Sequence, residues 1–357
     1  MARPTQIVLS GKNLLHNLSI VRSRNPSSKV IAMVKANAYG HGIRSVSKVL
    51  DGHVEYFGVA SIDEALSLRN SGIQTPIILM EGVFCVSEFA LTNQHNISVV
   101  FQSLEQWQWF KQASVPLKAW LKIDTGMGRL GFNLEEAEAV YQEMYHHDFI
   151  EKPLGLMSHF ACADIFGHPL NALQHEAFFK FAEGKLVIKS LENSAASLIS
   201  QGAISDVVRP GLLLYGCSPF PEYSADFFGL KPVMSLKSQL IRVFQAKPKQ
   251  TLGYAGRYVC KSSMPVGVVA VGYGDGYPIT VRDGAPVLVN NILCEIAGRI
   301  SMDMLTVDLR AMGSAKVGDP VILWGEGLPL ENLAQYTQQH VWSILTGIQN
   351  RPKSVWI

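Results

Sequence analysis

Eight short apolar runs, separated by stretches with helical spacing, occupy the first two-thirds of the chain and constrain its fold more than any other feature. They fall at 30–36, 56–60, 76–80, 97–101, 117–124, 154–159, 185–190 and 206–210. Between several of them, as at 62–70 and 134–146, apolar residues recur with the period of an amphipathic helix. Strand, helix, strand in repetition implies parallel pairing, and eight such units imply a closed (β/α)8 barrel. The runs are almost unbroken in Val, Ile and Leu, as strands covered on both faces require. The competing plan is an open doubly wound sheet. Against it, no G-x-G-x-x-G follows the first run; the turn there reads Lys35-Ala36-Asn37-Ala38-Tyr39-Gly40-His41-Gly42.

Beyond about Gly229 the pattern becomes short strands with turn signals, at 234–244, 264–273, 285–296, 304–309 and 320–324, followed by a helical segment at 330–346. The expected fold class is α/β, an N-terminal (β/α)8 TIM-type barrel with a C-terminal mainly β domain. The expected boundaries are 1–229 for the barrel and 230–357 for the β domain. A chain of 357 residues has room for both, and 48% hydrophobic with 17% charged residues is globular. The net charge of +2 is scattered, which argues against nucleic acid or a membrane surface and for a small-molecule partner. Cys85, Cys162, Cys217, Cys260 and Cys294 include no C-x-x-C and no Cys/His metal spacing, so a reducing compartment and no metal are expected. The first ten residues lack a charged leader with an apolar stretch, and no run approaches the ~20 apolar residues of a membrane span. The expected location is the cytoplasm.

In a (β/α)8 barrel, chemistry sits at the C-terminal strand ends. Lys35 follows Val30-Ile31-Ala32-Met33-Val34, a run that would partly desolvate its ammonium and favour the neutral amine needed for imine formation. A lysine in that place also reads as one that snorkels to water. The fifth run delivers Lys122 and Asp124 into the glycine-rich Gly126-Met127-Gly128-Arg129-Leu130-Gly131, where Arg129 could fork onto a carboxylate or phenolate. The sixth delivers His159, which equally suits a satisfied core histidine. The seventh and eighth lead to Asn193-Ser194 and Arg209-Pro210-Gly211, so Ser194, Gly211 and Leu212 are candidates for a phosphate site. Asn193-Ser194 also reads as a plain helix cap.

The segment Val34 through Gly42 resembles the pyridoxal 5′-phosphate (PLP) attachment signature of the bacterial alanine racemases, fold-type III PLP-dependent enzymes. The resemblance continues, in order, through Lys122-Ile123-Asp124-Thr125-Gly126-Met127-Gly128-Arg129, Ser158-His159-Phe160, Asn193-Ser194-Ala195, Arg209-Pro210-Gly211, Gly253-Tyr254 and Ser301-Met302-Asp303. It implies an alanine racemase that interconverts L- and D-alanine by two-base α-proton transfer and supplies D-alanine for peptidoglycan. By that resemblance Lys35 carries PLP and is one base, and Tyr254 is the opposite base, reaching in from the other subunit of a homodimer. Arg209 is similar to the arginine on the pyridine nitrogen, with His159 beside it, while Tyr39, Ser194, Gly211 and Leu212 are similar to the phosphate contacts. Arg129, Met302 and Asp303 match substrate-site residues, Lys122 a lysine often carbamylated in the family, and Asp164, Tyr273 and Arg299 the access corridor.

Departures from the family pattern are Glu192 in place of a small residue, Ile279 where an arginine often follows the proline, Trp342-Ser343 in place of Tyr-Glu, and the ending Asn350-Arg351-Pro352. Other readings are a racemase of broader specificity, a non-catalytic PLP-binding barrel and a fold-type III decarboxylase. The barrel-only proteins lack the β domain and its tyrosine, and the decarboxylases' Cys-containing C-terminal motif has no match here.

Overall fold

The computed structural model describes residues 3–113, 115–199 and 205–357. The chain forms two compact units, Leu18–Leu214 and a second made of Met1–Asn17 with Tyr215–Ile357. After β1 (Gln6–Leu9), the barrel strands are β2 (Lys29–Met33), β3 (Tyr56–Val59), β4 (Ile77–Leu79), β5 (Ile97–Phe101), β6 (Leu117–Lys122), β7 (Ile150–Met157), β8 (Val187–Ser190) and β9 (Val207–Val208). Neighbours in this eight-stranded sheet pair in parallel, and β9 returns to β2. Between β8 and β9 the seam is stitched by Ser190 Oγ donating to Val207 O at 2.7 Å, Lys189 N to Asp206 Oδ2 at 2.8 Å and Arg209 N to Glu192 O at 3.0 Å.

Side chains alternate across a strand, so one parity of each barrel strand fills the interior. Ile31, Met33, Ile78, Met80, Val100, Trp120, Met157 and Val207 form that buried cluster, with Tyr39, Tyr56 and Ile188 packed on it. Gly155 makes room for the Trp120 ring, which a Cβ there would strike. Two residues beyond Trp120, Met157 and Val207 stand Lys122, His159 and Arg209, and two and four beyond Ile188 stand Ser190 and Glu192. The pleat that packs the core therefore also aims the polar residues inward at the C-terminal ends.

Helices cover the sheet where the periodicity placed them. Ile62–Arg69 is capped by Ser61, which accepts from Glu64 N at 3.5 Å, and Leu134–His146 by Asn133, which accepts from Glu136 N at 2.8 Å. The run at 30–36 does not stay extended to its end: β2 stops at Met33, and Lys35–Tyr39 is a helical turn.

In the β unit the long strand β10 (Met234–Ala246) pairs with β1 and Pro320–Trp324 along its first half and with Met264–Val269 along its second. Leu305–Asp308, Ile292–Ile296 and Pro286–Val289 complete a closed antiparallel circuit. The last two form a hairpin that turns on Asn290 and Asn291, whose φ angles of 48° and 64° are those of a two-residue turn that Asn tolerates. Lys353–Trp356 adds in parallel to β1. The expected boundaries of 1–229 and 230–357 thus differ from the observed units at both ends: β1 belongs with the β unit, because its partners are β10 and Lys353–Trp356, and the barrel unit ends at Leu214. The helical segment expected at 330–346 is two short helices, Leu330–Ala334 and Val341–Thr346. No helix among the described residues is long and apolar enough to cross a membrane.

Candidate active site

Immediately after β2 the backbone turns left-handed. Ala36, Asn37, Ala38 and Tyr39 have φ between 52° and 54°, a conformation costing non-glycine residues roughly 1–2 kcal/mol each. Such strain survives only where the surroundings hold it, and it gathers at functional sites. Here Glu64 Oε1 accepts from Ala36 N at 2.7 Å, Asn37 Oδ1 from Ile43 N at 2.9 Å, and His41 Nδ1 lies 2.9 Å from Tyr39 O. The turn fixes Lys35 at its start and sends the Tyr39 ring onto the core. Burial pushes the Tyr39 phenol up to about 12, so it remains a hydrogen-bond donor throughout the neutral range.

Opposite it, Gly211 N donates to Ser194 Oγ at 2.9 Å, and a Cβ on Gly211 would collide with the Tyr39 hydroxyl. Ser194 opens the helix Ser194–Ile199, and Leu212 opens a 3-10 turn with its side chain buried. Tyr39, Ser194 and Gly211 thus form a cradle of donors into which only a glycine fits.

Arg209 is buried and its guanidinium is held by neutral groups. It donates to Ser190 Oγ and Ser158 O at 2.6 Å each and to Leu191 O at 3.2 Å, and its Nη2 lies 3.2 Å from His159 Nδ1. Burial lowers Arg209 to about 10, with Glu192 acting in the opposite direction. His159 is pushed well below the usual histidine range by burial and by Arg209, Lys122, Arg129 and Lys35, so it is neutral at pH 7. Gln174, completely buried, ties the loops after β6 and β7 together: its Nε2 donates to Thr125 Oγ1 at 3.4 Å and to His159 O at 2.9 Å, and its Oε1 accepts from Ala161 N at 2.8 Å.

The desolvated lysine is Lys122 rather than Lys35. The Lys35 side chain is 39% exposed, with its Nζ 3.9 Å from Glu81 Oε1. The run before Lys35 does not enclose it: β2 stops at Met33, and Lys35 opens the turn that follows. Lys122 is 8% exposed, and burial together with Arg209, Arg129 and Lys35 lowers its amine to about 8, against a small opposing effect of Glu81. Asp124, which the sequence offered beside it, is committed to the loop. Its carboxylate accepts from Gly126 N, Met127 N and Gly128 N at 2.8–2.9 Å, and these bonds outweigh burial to keep it below the ordinary carboxylate range. That loop carries Arg129, exposed, and Asp164 sits half-buried in the loop after β7.

The β unit holds a second group. Tyr254 is 67% exposed and follows Gly253, whose φ of 73° and backbone bridge to Arg299 leave no space for a Cβ. Arg257 secures this segment by donating to Val281 O at 3.1 Å and Gly298 O at 2.9 Å and pairing with Asp283 at 2.9 Å. Tyr254, Arg299 and Ile279 line one groove. Tyr273 N donates to Ser301 O at 3.1 Å and Gly274 N to Met302 O at 2.9 Å, joining Tyr273 to the Met302-Asp303 loop. Two residues that sequence reasoning did not single out anchor that loop. Arg3 donates to Asp303 O at 3.1 Å and pairs with the buried Asp275 at 2.9 Å. Arg351 pairs with Asp275 at 3.0 Å and with Asp303 at 2.5 Å. Of the residues missed, only Glu64 had a local signal, the capping pattern Ser61-Ile62-Asp63-Glu64.

Residues 9–219 match the family described as alanine racemase, N-terminal domain, and residues 233–356 match alanine racemase, C-terminal domain. The chain is 42% identical over 357 residues to the alanine racemase of Pasteurella multocida, covering 99% of each. It is 43% identical over 342 residues to that of Photobacterium profundum, covering 95% of each. Its fold superposes on the biosynthetic alanine racemase from Pseudomonas aeruginosa with a TM-score of 0.96 at 39% identity, covering 99% of both chains. For the alanine racemase from Acinetobacter baumannii the TM-score is 0.94 at 33% identity, covering 99% of this chain and 100% of that one. With both domains matched in order and the fold shared along its whole length, the chain belongs to the alanine racemase family and is an amino-acid racemase that interconverts L- and D-alanine.

Proposed function

We propose that the racemisation runs on PLP held covalently by Lys35 Nζ, with Lys35 and Tyr254 as the two opposed bases. The observation that carries this reading is the surplus of cationic and donor groups at the barrel mouth. Lys35, Lys122, Arg129 and Arg209 act on one another or on His159 there, with Glu81 and Glu192 the only carboxylates opposing them among the described residues. Beside them, Tyr39, Ser194 and Gly211 form a cradle that a Cβ would fill. The set suits a cofactor that brings a phosphate dianion and a phenolate. Bound there, PLP supplies an electron sink that acidifies the substrate α-hydrogen.

The protein's own part is positioning and proton transfer. Tyr39, Ser194, Gly211 and Leu212 hold the phosphate. Arg209, oriented by His159, would hold the pyridine-nitrogen end of the cofactor; a guanidinium does not readily release its proton, so Arg209 would donate a hydrogen bond there without protonating it and would temper the sink. Arg129 receives the phenolate and the substrate carboxylate. Lys122, with its amine lowered to about 8, has a larger neutral fraction than an exposed lysine, and that neutral amine would add to carbon dioxide with loss of a proton to solvent, giving a carbamate that orients Arg129. Lys35 moves the α-proton on one face and Tyr254 on the other. Tyr254, Met302 and Asp303 serve the site of a second copy in a homodimer, with Asp164, Tyr273 and Arg299 lining the approach. The exposure of Tyr254 (67%), Met302 (52%) and Met304 (42%) supports a covering partner. The D-alanine made supplies peptidoglycan synthesis in the cytoplasm.

Borohydride reduction of the purified protein followed by peptide mapping tests the anchor: a pyridoxyl group on the Lys35 peptide is expected, and one found elsewhere, or none, overturns it. Lys35→Ala should lower turnover of both enantiomers by about 10³-fold or more. Tyr254→Phe should cut kcat/KM equally in both directions, because the equilibrium constant between enantiomers is one. Exchange of the α-hydrogen with deuterated solvent should nonetheless survive for one enantiomer; loss of exchange from both, or full racemisation, contradicts the two-base assignment.

A further inference from the structure

We propose that Glu192 is the buried counter-ion of Arg209, a positioning residue that sets the electrostatic potential at the ring-nitrogen end of the cofactor site. The inference rests on the cofactor reading above and deepens it. Glu192 is 0% exposed, and neither of its carboxylate oxygens meets a hydrogen-bond donor among the described residues. A carboxylate in such a place is costly unless a nearby cation compensates it. Arg209 is the cation Glu192 acts on, at longer range, with no ion pair or hydrogen bond between the two side chains among the described residues. The two backbones are joined by Arg209 N donating to Glu192 O at 3.0 Å, and Glu192 is two residues past Ser190, on the same parity as the hydroxyl that holds Arg209 Nη1 at 2.6 Å.

Every hydrogen-bond partner of the Arg209 guanidinium among the described residues is neutral: two backbone carbonyls, a serine hydroxyl and the neutral His159 ring. The other charged groups acting around it are Lys35, Lys122 and Arg129, all cationic, and Glu81, which acts on Lys122 and pairs with Lys35. A guanidinium removed from water is stabilised by an anion, and Glu192 is the buried carboxylate that acts on it.

The test uses purified holoenzyme and the pH titration of its visible cofactor absorbance, read in wild type, Glu192→Gln and Glu192→Asp. Gln keeps the shape and removes the charge, while Asp keeps the charge and shortens the side chain. If Glu192 acts by charge, Gln makes the site more positive and moves the titration midpoint to lower pH by about half a unit or more, while Asp stays near wild type. A packing role gives the reverse order, with Gln near wild type and Asp displaced, and overturns the proposal. A midpoint unchanged in Gln likewise overturns it, because Glu192 is then neutral in the wild type. Where Gln does not accumulate as folded protein, Glu192→Ala gives the charge-free reading and should show the same downward shift; its absence counts against the proposal. A wild type with no cofactor absorbance rejects the PLP reading itself, whereas a normal wild-type spectrum with an unmoved Gln variant rejects only the role of Glu192.

Discussion

Gly211 shows how much of the site depends on single atoms. Its missing Cβ leaves the space in which the Tyr39 hydroxyl sits. Gly211→Ala should therefore weaken PLP binding to the apoprotein by about tenfold or more, measured by fluorescence titration. Because the clash is with the far end of the Tyr39 ring, the hydroxyl first and Cζ at 2.9 Å behind it, the double variant Gly211→Ala, Tyr39→Phe should lose part but not all of the Gly211→Ala penalty; full additivity would place the damage elsewhere. Lys122 makes a different prediction. Its amine is lowered to about 8 by burial and by Arg209, Arg129 and Lys35, so between about pH 8 and the ordinary lysine range the unfolded chain binds the extra proton. Stability contributed by this site must then rise with pH through that window, and below it the buried ammonium costs on the order of 2–3 kcal/mol. In apoprotein freed of carbon dioxide, Lys122→Met should raise the urea midpoint at pH 7 and flatten the climb above pH 8; an unchanged profile would mean that Lys122 is solvated. The sequence marked both lysines but did not show that Lys122 is the more buried of the two. The five apolar residues before Lys35 suggested enclosure, and only the backbone direction after Met33 shows that Lys35 leaves the core while Lys122 stays in it.

That direction is set by the turn Lys35–Tyr39, whose φ values no residue preference announces: Ala, Asn, Ala and Tyr are not a sequence chosen for left-handed backbone, and Gly40 and Gly42 were the visible hint. The strands and helices were legible because periodicity is local, as in Leu134–His146, where the expected range and the helix coincide. The turn was not, because its support comes from Glu64 and His41 through contacts made only after folding. Its strain gives a sign-reversed prediction. Ala139→Gly, on the exposed face of Leu134–His146, should cost about 1 kcal/mol. Ala36→Gly, where φ is 52°, should be neutral or stabilising by up to about 1 kcal/mol. Thermal unfolding of the two variants checks this, and equal destabilisation would mean that the turn stores no strain.

At the scale of the molecule, what the sequence concealed is that the chain's two ends are spent on one sheet. The barrel's eight units could be counted along the chain, and the β domain announced itself by a change of rhythm, but a four-residue strand at Gln6–Leu9 looks the same whichever sheet it joins. Its register settles the matter: Gln6 through Leu9 pair with Lys237 back to Met234 on one side and with Lys353 through Trp356 on the other. Ile7 and Leu9 are buried there, and Arg3 just ahead of them holds the Met302-Asp303 loop through Asp275 and Asp303. A fragment of residues 230–357 would open one edge of β10, leave Lys353–Trp356 with no strand partner among the described residues, and lose the Arg3 anchor. It should unfold without a cooperative transition and expose apolar surface to a hydrophobic dye. Residues 1–17 joined by a flexible linker to 215–357 restore the strand and the anchor, and that fragment should melt as one cooperative unit. Arg3→Ala within it should loosen the Met302-Asp303 loop without abolishing the transition, seen as faster amide exchange at 301–304. Equal behaviour of the two fragments would show that β1 is dispensable to this unit and that the boundary at 229 was adequate after all.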